Sequence, residues 1–70
     1  MTPADVRGFR EKLGLSQSGF AKAVGVSFIR TVGRWEYGER CIPGYLATLA
    51  ELAESPAVAR ALRKRGLRKP

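Results

Sequence analysis

The sequence predicts an all-α fold, a compact bundle of five short helices. Three observations carry that expectation. Apolar residues recur three and four positions apart, the period of one helix face. The segments that show this period open on Ser, Thr or Pro and mostly close on Gly, the chemistry of helix ends. No stretch alternates between apolar and polar residues in the manner of a strand.

The first helix starts at Thr2-Pro3-Ala4-Asp5: a capping hydroxyl, a proline at the first helical position, and an acid that suits the helix dipole. Val6, Phe9 and Leu13 give its apolar stripe and Gly14 ends it. Ser16 caps a second helix, Gln17 to Val24, with Phe20, Ala21 and Val24 facing inward. Gly25-Val26-Ser27 is a three-residue turn in which Gly supplies a left-handed backbone and Val26 plugs the core. Ser27 is the expected cap of a third helix running to about Tyr37, with Val32 and Trp35 buried and Gly38 ending it. A loop, Glu39 to Ile42, leads to Pro43 at the start of a fourth helix, whose apolar face is Tyr45, Leu46, Leu49, Leu52 and Ala53. Ser55-Pro56 opens a fifth, to about Arg65, with Val58, Ala61 and Leu62 inward and Gly66 closing it. Residues 1–66 are therefore read as one domain and residues 67–70 as a short, loose basic tail.

Composition narrows the function. One cysteine, Cys41, and no histidine exclude an internal disulfide and argue against structural zinc or a catalytic histidine. Neither a signal peptide nor a membrane-spanning run is evident, so a reducing, cytoplasmic setting is expected. The net charge of +7 is unevenly spread: the chain up to Ser55 is nearly neutral, and from Pro56 onward there are six Lys/Arg and no acid. Such an end suits a polyanion, although a merely solvated, frayed end has the same composition. With no Gly-rich phosphate loop or metal cluster, and little room for a pocket, an enzyme is not expected and no cofactor or metal is implied.

A helix, a sharp glycine turn and a second short helix make the helix-turn-helix arrangement, in which the first helix crosses a DNA backbone and the second enters the major groove. Ala21 is small where the two helices approach, and Val26, Val32 and Trp35 anchor the second, leaving its other face free.

The stretch "FREKLGLSQSGFAKAVGVS…TVGRWEYGER…P" resembles the Cro/repressor (XRE-type) helix-turn-helix family over roughly residues 6 to 53. The resemblance implies a phage-repressor-like bundle, with helices two and three as the DNA-binding unit. It implies that Gln17 contacts a phosphate and braces the recognition helix, although an exposed first-turn residue would look the same. It implies that Arg10 and Glu36 form a structural pair between helix one and the end of helix three. Two departures from the family pattern stand out: three residues (Phe28, Ile29, Arg30) lie between Ser27 and Thr31-Val32 where two are usual, and two (Cys41, Ile42) between Arg40 and Pro43 where one is usual.

Counted back from Trp35, the groove-facing positions are Ile29, Arg30, Thr31, Gly33 and Arg34. Phe28, four residues before Val32, is expected to tuck inward, and Ile29 to meet a thymine methyl. Arg30 and Arg34 share a face and suit guanine O6 and N7, with phosphate contact or simple solvation as alternatives. Gly33 is either a gap for a base edge or a tolerated mid-helix glycine. Ser27, Lys22, Arg40, Arg63 and Lys64, with Arg65, Arg68 and Lys69 behind them, are candidate backbone contacts; Lys22 is equally an ordinary surface lysine. Tyr45, Val58, Leu62 and Leu67 are the spare apolar surface on which a homodimer is placed. The function these readings imply is a sequence-specific, double-stranded-DNA-binding regulator, bacterial or phage-encoded, cytoplasmic and associated with the nucleoid. It is expected to be a dimeric repressor, autoregulating a small phage, mobile-element or toxin-antitoxin-like operon through an inverted repeat. The alternative is an antitoxin that holds a protein toxin and also binds its own operator. A membrane-surface role for Arg60 to Lys69 is disfavoured, since that segment has no aromatic and few large apolar residues.

Overall fold

The structure, a computed structural model, describes residues 1–67; the basic residues Arg68 and Lys69 lie outside them. Five helices follow one another: α1 (Pro3–Leu13), α2 (Gln17–Val24), α3 (Ile29–Glu36), α4 (Gly44–Leu52) and α5 (Pro56–Gly66). No strand occurs among the described residues.

The ends of α1 and α2 follow from their local chemistry. Thr2 and Asp5 form a reciprocal capping box: the Thr2 amide donates to Asp5 Oδ2 at 2.8 Å and the Asp5 amide to Thr2 Oγ1 at 3.2 Å. These hydrogen bonds with Thr2, first from its backbone, hold the Asp5 carboxyl below its ordinary pKa. Ser16 Oγ accepts from the Gly19 amide at 3.1 Å. Gly14 (φ 70°) and Gly25 (φ 79°) close the two helices in the left-handed conformation.

The core gathers Val6, Phe9 and Leu13 of α1, Leu15 of the following turn, Phe20, Ala21 and Ala23 of α2, Val32 and Trp35 of α3, Leu46 of α4 and Leu62 of α5. Phe9 and Phe20 meet edge to face, 5.4 Å between centroids, which places the positive ring edge of one against the negative face of the other.

Several expectations fail here. On α2, Val24 faces inward and packs half-buried on the core, but Ala23, not expected there, is the more enclosed. On α4, Tyr45 and Leu52 are exposed and only Leu46 is fully enclosed, while Leu49 and Ala53 pack half-buried against the core. Pro43 does stand at the start of α4, as its N-cap. Ala61 faces solvent. Gly66 does not terminate α5 by a left-handed turn; it is the last helical residue and Leu67 caps the helix.

The reason for Gly66 is close approach. A side chain there would place its Cβ 2.7 Å from the Gly19 carbonyl oxygen and 2.7 Å from Leu15 Cδ1. A Cβ on Gly19 would in turn lie 2.9 Å from the Gly66 carbonyl oxygen. Backbone meets backbone where α5 crosses α2. Beside the crossing, Arg65 Nε donates to the Lys22 carbonyl at 3.1 Å, closing the last turn of α2 with a cation.

The last turn of α3 is held from α1. Arg10 Nε and Nη2 donate to Glu36 Oε2 and Oε1 at 2.7 and 3.2 Å, and Arg10 Nη1 donates to the Leu15 carbonyl at 3.0 Å. Arg7 Nε adds a third bond to Glu36 Oε1, at 3.4 Å. The Glu36 side chain is 0% exposed and sits at a helix C-terminus, where the dipole disfavours an anion. Burial pushes its carboxyl up. The hydrogen bond and charge of Arg10 oppose this, with smaller help from Arg7 and Gln17, and hold it below its ordinary value. The same bond to Glu36 raises the Arg10 guanidinium.

Two predictions follow from these contacts. Gly66→Ala is expected to cost about 1–3 kcal/mol from overpacking. Gly8→Ala, on α1 with nothing within 4 Å of a new Cβ, is expected to gain about 0.5–1 kcal/mol from helix propensity. Thermal melts read both, at roughly 4–8 °C per kcal/mol for a domain of this size. The second concerns pH. A carboxyl whose folded pKa is depressed contributes fully above its unfolded pKa, and the contribution fades as pH falls through the folded value. Glu36→Gln is expected to lower stability by about 3 kcal/mol or more at neutral pH, by leaving Arg10 unpaired. The same substitution should remove much of the acid dependence, so that denaturant titrations of wild type and variant converge as pH falls below the carboxylate range.

Candidate nucleic-acid interface

The turn between α2 and α3 is built by backbone. The Gly25 amide points back at the Ala21 and Lys22 carbonyls, and the Val26 amide donates to the Ala21 carbonyl at 2.8 Å. Val26, half-buried, packs on the core. Ser27 and Phe28 then run out before α3 begins at Ile29.

The additional residue in this segment is absorbed by a later helix start. Ser27, expected as the cap, lies one residue too early. The N-cap is Phe28, in extended conformation (φ −114°, ψ 120°), which offers no side-chain acceptor. The Thr31 amide donates to its carbonyl at 3.1 Å. Phe28 does not tuck inward either: it is 75% exposed. Val26 already fills the apolar position that closes the turn, and an N-cap residue points off the end of its helix.

On α3, Val32 and Trp35 face the core while Ile29, Arg30 and Arg34 are exposed and Thr31 is half-buried. Phe28, Arg30, Thr31, Arg34 and Arg40 line one open cleft of about 200 Å³. Arg40, from the loop after α3, returns to this face, and no acid lines the cleft. Gly33 does not open toward that face. The Gln17 carboxamide lies over it, with its oxygen 3.8 Å from where a Cβ would sit. Gln17 thus reaches from the first turn of α2 onto α3, beside both Gly33 and the Glu36 carboxylate.

The other candidates are more scattered. Ser27, Lys22, Arg63 and Lys64 are exposed. Arg63 lies beside Gly14 at the α1–α2 turn, its Nε 4.0 Å from a Cβ built there. Of the apolar surface set aside for a dimer, Tyr45 and Leu67 are exposed and Val58 is half-buried, but Leu62 is 9% exposed and belongs to the core. Exposed Leu52 takes its place in the spare apolar surface. Cys41 is exposed. Sequence reasoning missed Arg7 as a partner of Glu36, Arg65 as a cap on α2 and Phe28 as part of the exposed face. A second arginine three residues before Arg10, one helical turn away, was the available signal for the first of these.

No helix among the described residues is long and apolar enough to cross a membrane. Neither a curated protein nor a solved structure matches the chain significantly. A family model described as helix-turn-helix does match, over residues 6–54. That span covers 49 of the 70 residues, from the core of α1 through the end of α4, and includes the turn, the α3 face and the Arg10–Glu36 pair. The chain belongs to the helix-turn-helix family of the Cro/repressor (XRE) type and is a DNA-binding regulator of transcription.

Proposed function

We propose that this regulator is a sequence-specific dimeric repressor that reads an inverted repeat through the major groove. The observation that carries the reading is the cleft on the free side of α3. Three arginines from two segments converge there, while the opposite side of the helix is fixed by Val32, Trp35 and Glu36. Such a face suits the edge of a duplex, and a fixed helix keeps its register once docked.

Within that face the roles divide by helix phase. α3 begins at Ile29, so Arg30 stands in its first turn and Arg34 one turn further on; Arg30 is accordingly assigned to the sugar-phosphate edge and Arg34 to the bases. Arg34 is assigned to a guanine O6/N7 pair, with Ile29 and Thr31 offering methyl groups beside it. Arg30, Arg40 and Gln17 are assigned to phosphate, with Ser27, Lys22, Arg63 and Lys64 as outlying backbone contacts. Gly33 is assigned to packing under Gln17. A single module covers only about 600–1,000 Å² on DNA, which is thin for specific control. Exposed Tyr45, Leu52 and Leu67, with half-buried Val58, give α4 and α5 a surface for a second copy. That pairing would set two recognition helices about 34 Å apart.

Binding-site selection from random duplexes tests this reading. Wild type is expected to enrich an inverted repeat with half-site centres about one helical turn apart. Arg34→Ala should lose about 1–3 kcal/mol on that site and relax one base preference per half-site. Arg30→Ala and Gln17→Ala should weaken cognate and random DNA together and keep the motif. A motif that survives Arg34→Ala intact, or a half-site with no repeat, would overturn the assignment. The basic end is tested without truncation, since removing residues after Leu62 would also delete the Gly66 crossing and the Arg65 cap. Arg63→Gln with Lys64→Gln is expected to flatten the salt dependence of binding by about 0.9 in slope for each lost phosphate contact.

A further inference from the structure

We propose that Phe28 is a specificity-determining residue: its ring covers the 5-methyl group of a thymine in the major groove. The inference rests on the sequence-specific reading above and adds a residue to it. Phe28 is a large apolar side chain, 75% exposed, at the leading end of the recognition helix. It shares one open cleft with Arg30, Thr31, Arg34 and Arg40. The apolar ring therefore shares its cleft with three cations, and a ligand that suits both is anionic outside yet offers an apolar group inside. A DNA duplex has that combination. Its phosphates match the arginines, and the major-groove edge of thymine carries a methyl group, for which phenylalanine is a suitable partner.

The local backbone supports a role outside the fold. An N-cap position favours Ser, Asp or Asn, which bond the free amides of the first turn, and Phe28 makes no such bond. Its ring is not in the core cluster, nor among the partly buried residues packed on it. Phe28 thus neither caps its helix nor fills the interior, so a better capping residue should strengthen the folded state while weakening recognition.

The test uses the full chain and the duplex enriched by selection, with each thymine replaced in turn by deoxyuridine, which lacks only the 5-methyl group. Wild type is expected to lose about fourfold in affinity at one thymine per half-site, the worth of one buried methyl-sized group. Phe28→Ala should bind the thymine and deoxyuridine duplexes equally at that position. Phe28→Ser should do the same while melting roughly 4–8 °C higher, because it supplies the missing cap. A Phe28→Ser protein that melts lower than wild type would show a packing role and overturn the proposal. So would a Phe28→Ala protein that keeps the wild-type thymine preference, which would move methyl recognition to Ile29 or Thr31. If selection enriches no sequence, the sequence-specific reading falls and this one with it. If a site is enriched but Phe28→Ala keeps the thymine preference, only the Phe28 assignment falls.

Discussion

The guanidinium of Arg10 is the point on which the rest of the molecule depends. Its two bonds to Glu36 fix the far end of α3, and its third, to the Leu15 carbonyl, fixes the turn that launches α2. One side chain therefore relates both helices of the DNA-binding unit to α1. The partly enclosed geometry makes the pair more than a surface contact, because either charge left alone would be costly. The Gln17 carboxamide lies beside the same carboxylate, so α2 and α3, the two helices of the helix-turn-helix unit, meet at one anion.

The second constraint is the crossing of α2 and α5. A protein of 70 residues buries a small core, and every ångström of helix separation would thin it further. Glycines on both helices let the backbones touch, and Arg65 bonds the Lys22 carbonyl beside them. The basic C-terminal segment is thus partly structural: Arg65 serves the fold, while Arg63 and Lys64 remain exposed. Charge composition alone had merged these uses into one tail.

Helix number, order and most boundaries were legible because they are written locally. Thr2, Ser16, Gly14 and Gly25 act within a few residues of themselves, and their hydrogen bonds are where sequence places them. The Arg10–Glu36 pair, separated by 26 residues, came from resemblance and not from periodicity. What sequence could not show was pairing between distant positions. Gly66 reads as a helix stop until Gly19 is seen opposite it, and Leu62, which periodicity puts inward and which was also set aside for a dimer, belongs to the core. The start of α3 was misplaced for a different reason. Ser27 has the right chemistry for a cap, but the turn geometry set by Gly25 and Val26 carries the chain one residue further before the helix begins.

The two sides of α3 are unequally engaged. Val32, Trp35 and Glu36 hold its inner side from the middle of the helix to its last residue, while Phe28 leads it without a side-chain cap and Ile29, Arg30 and Arg34 stand exposed on the outer side. Mechanically it is a rail set into the bundle along one side, with the other side clear of the core. The residues that would decide which DNA is bound are therefore largely separate from those that decide whether the chain folds. Residues 28–30 and 34 are exposed, so exchanging them would remodel the outer face of α3 while leaving its packing in place.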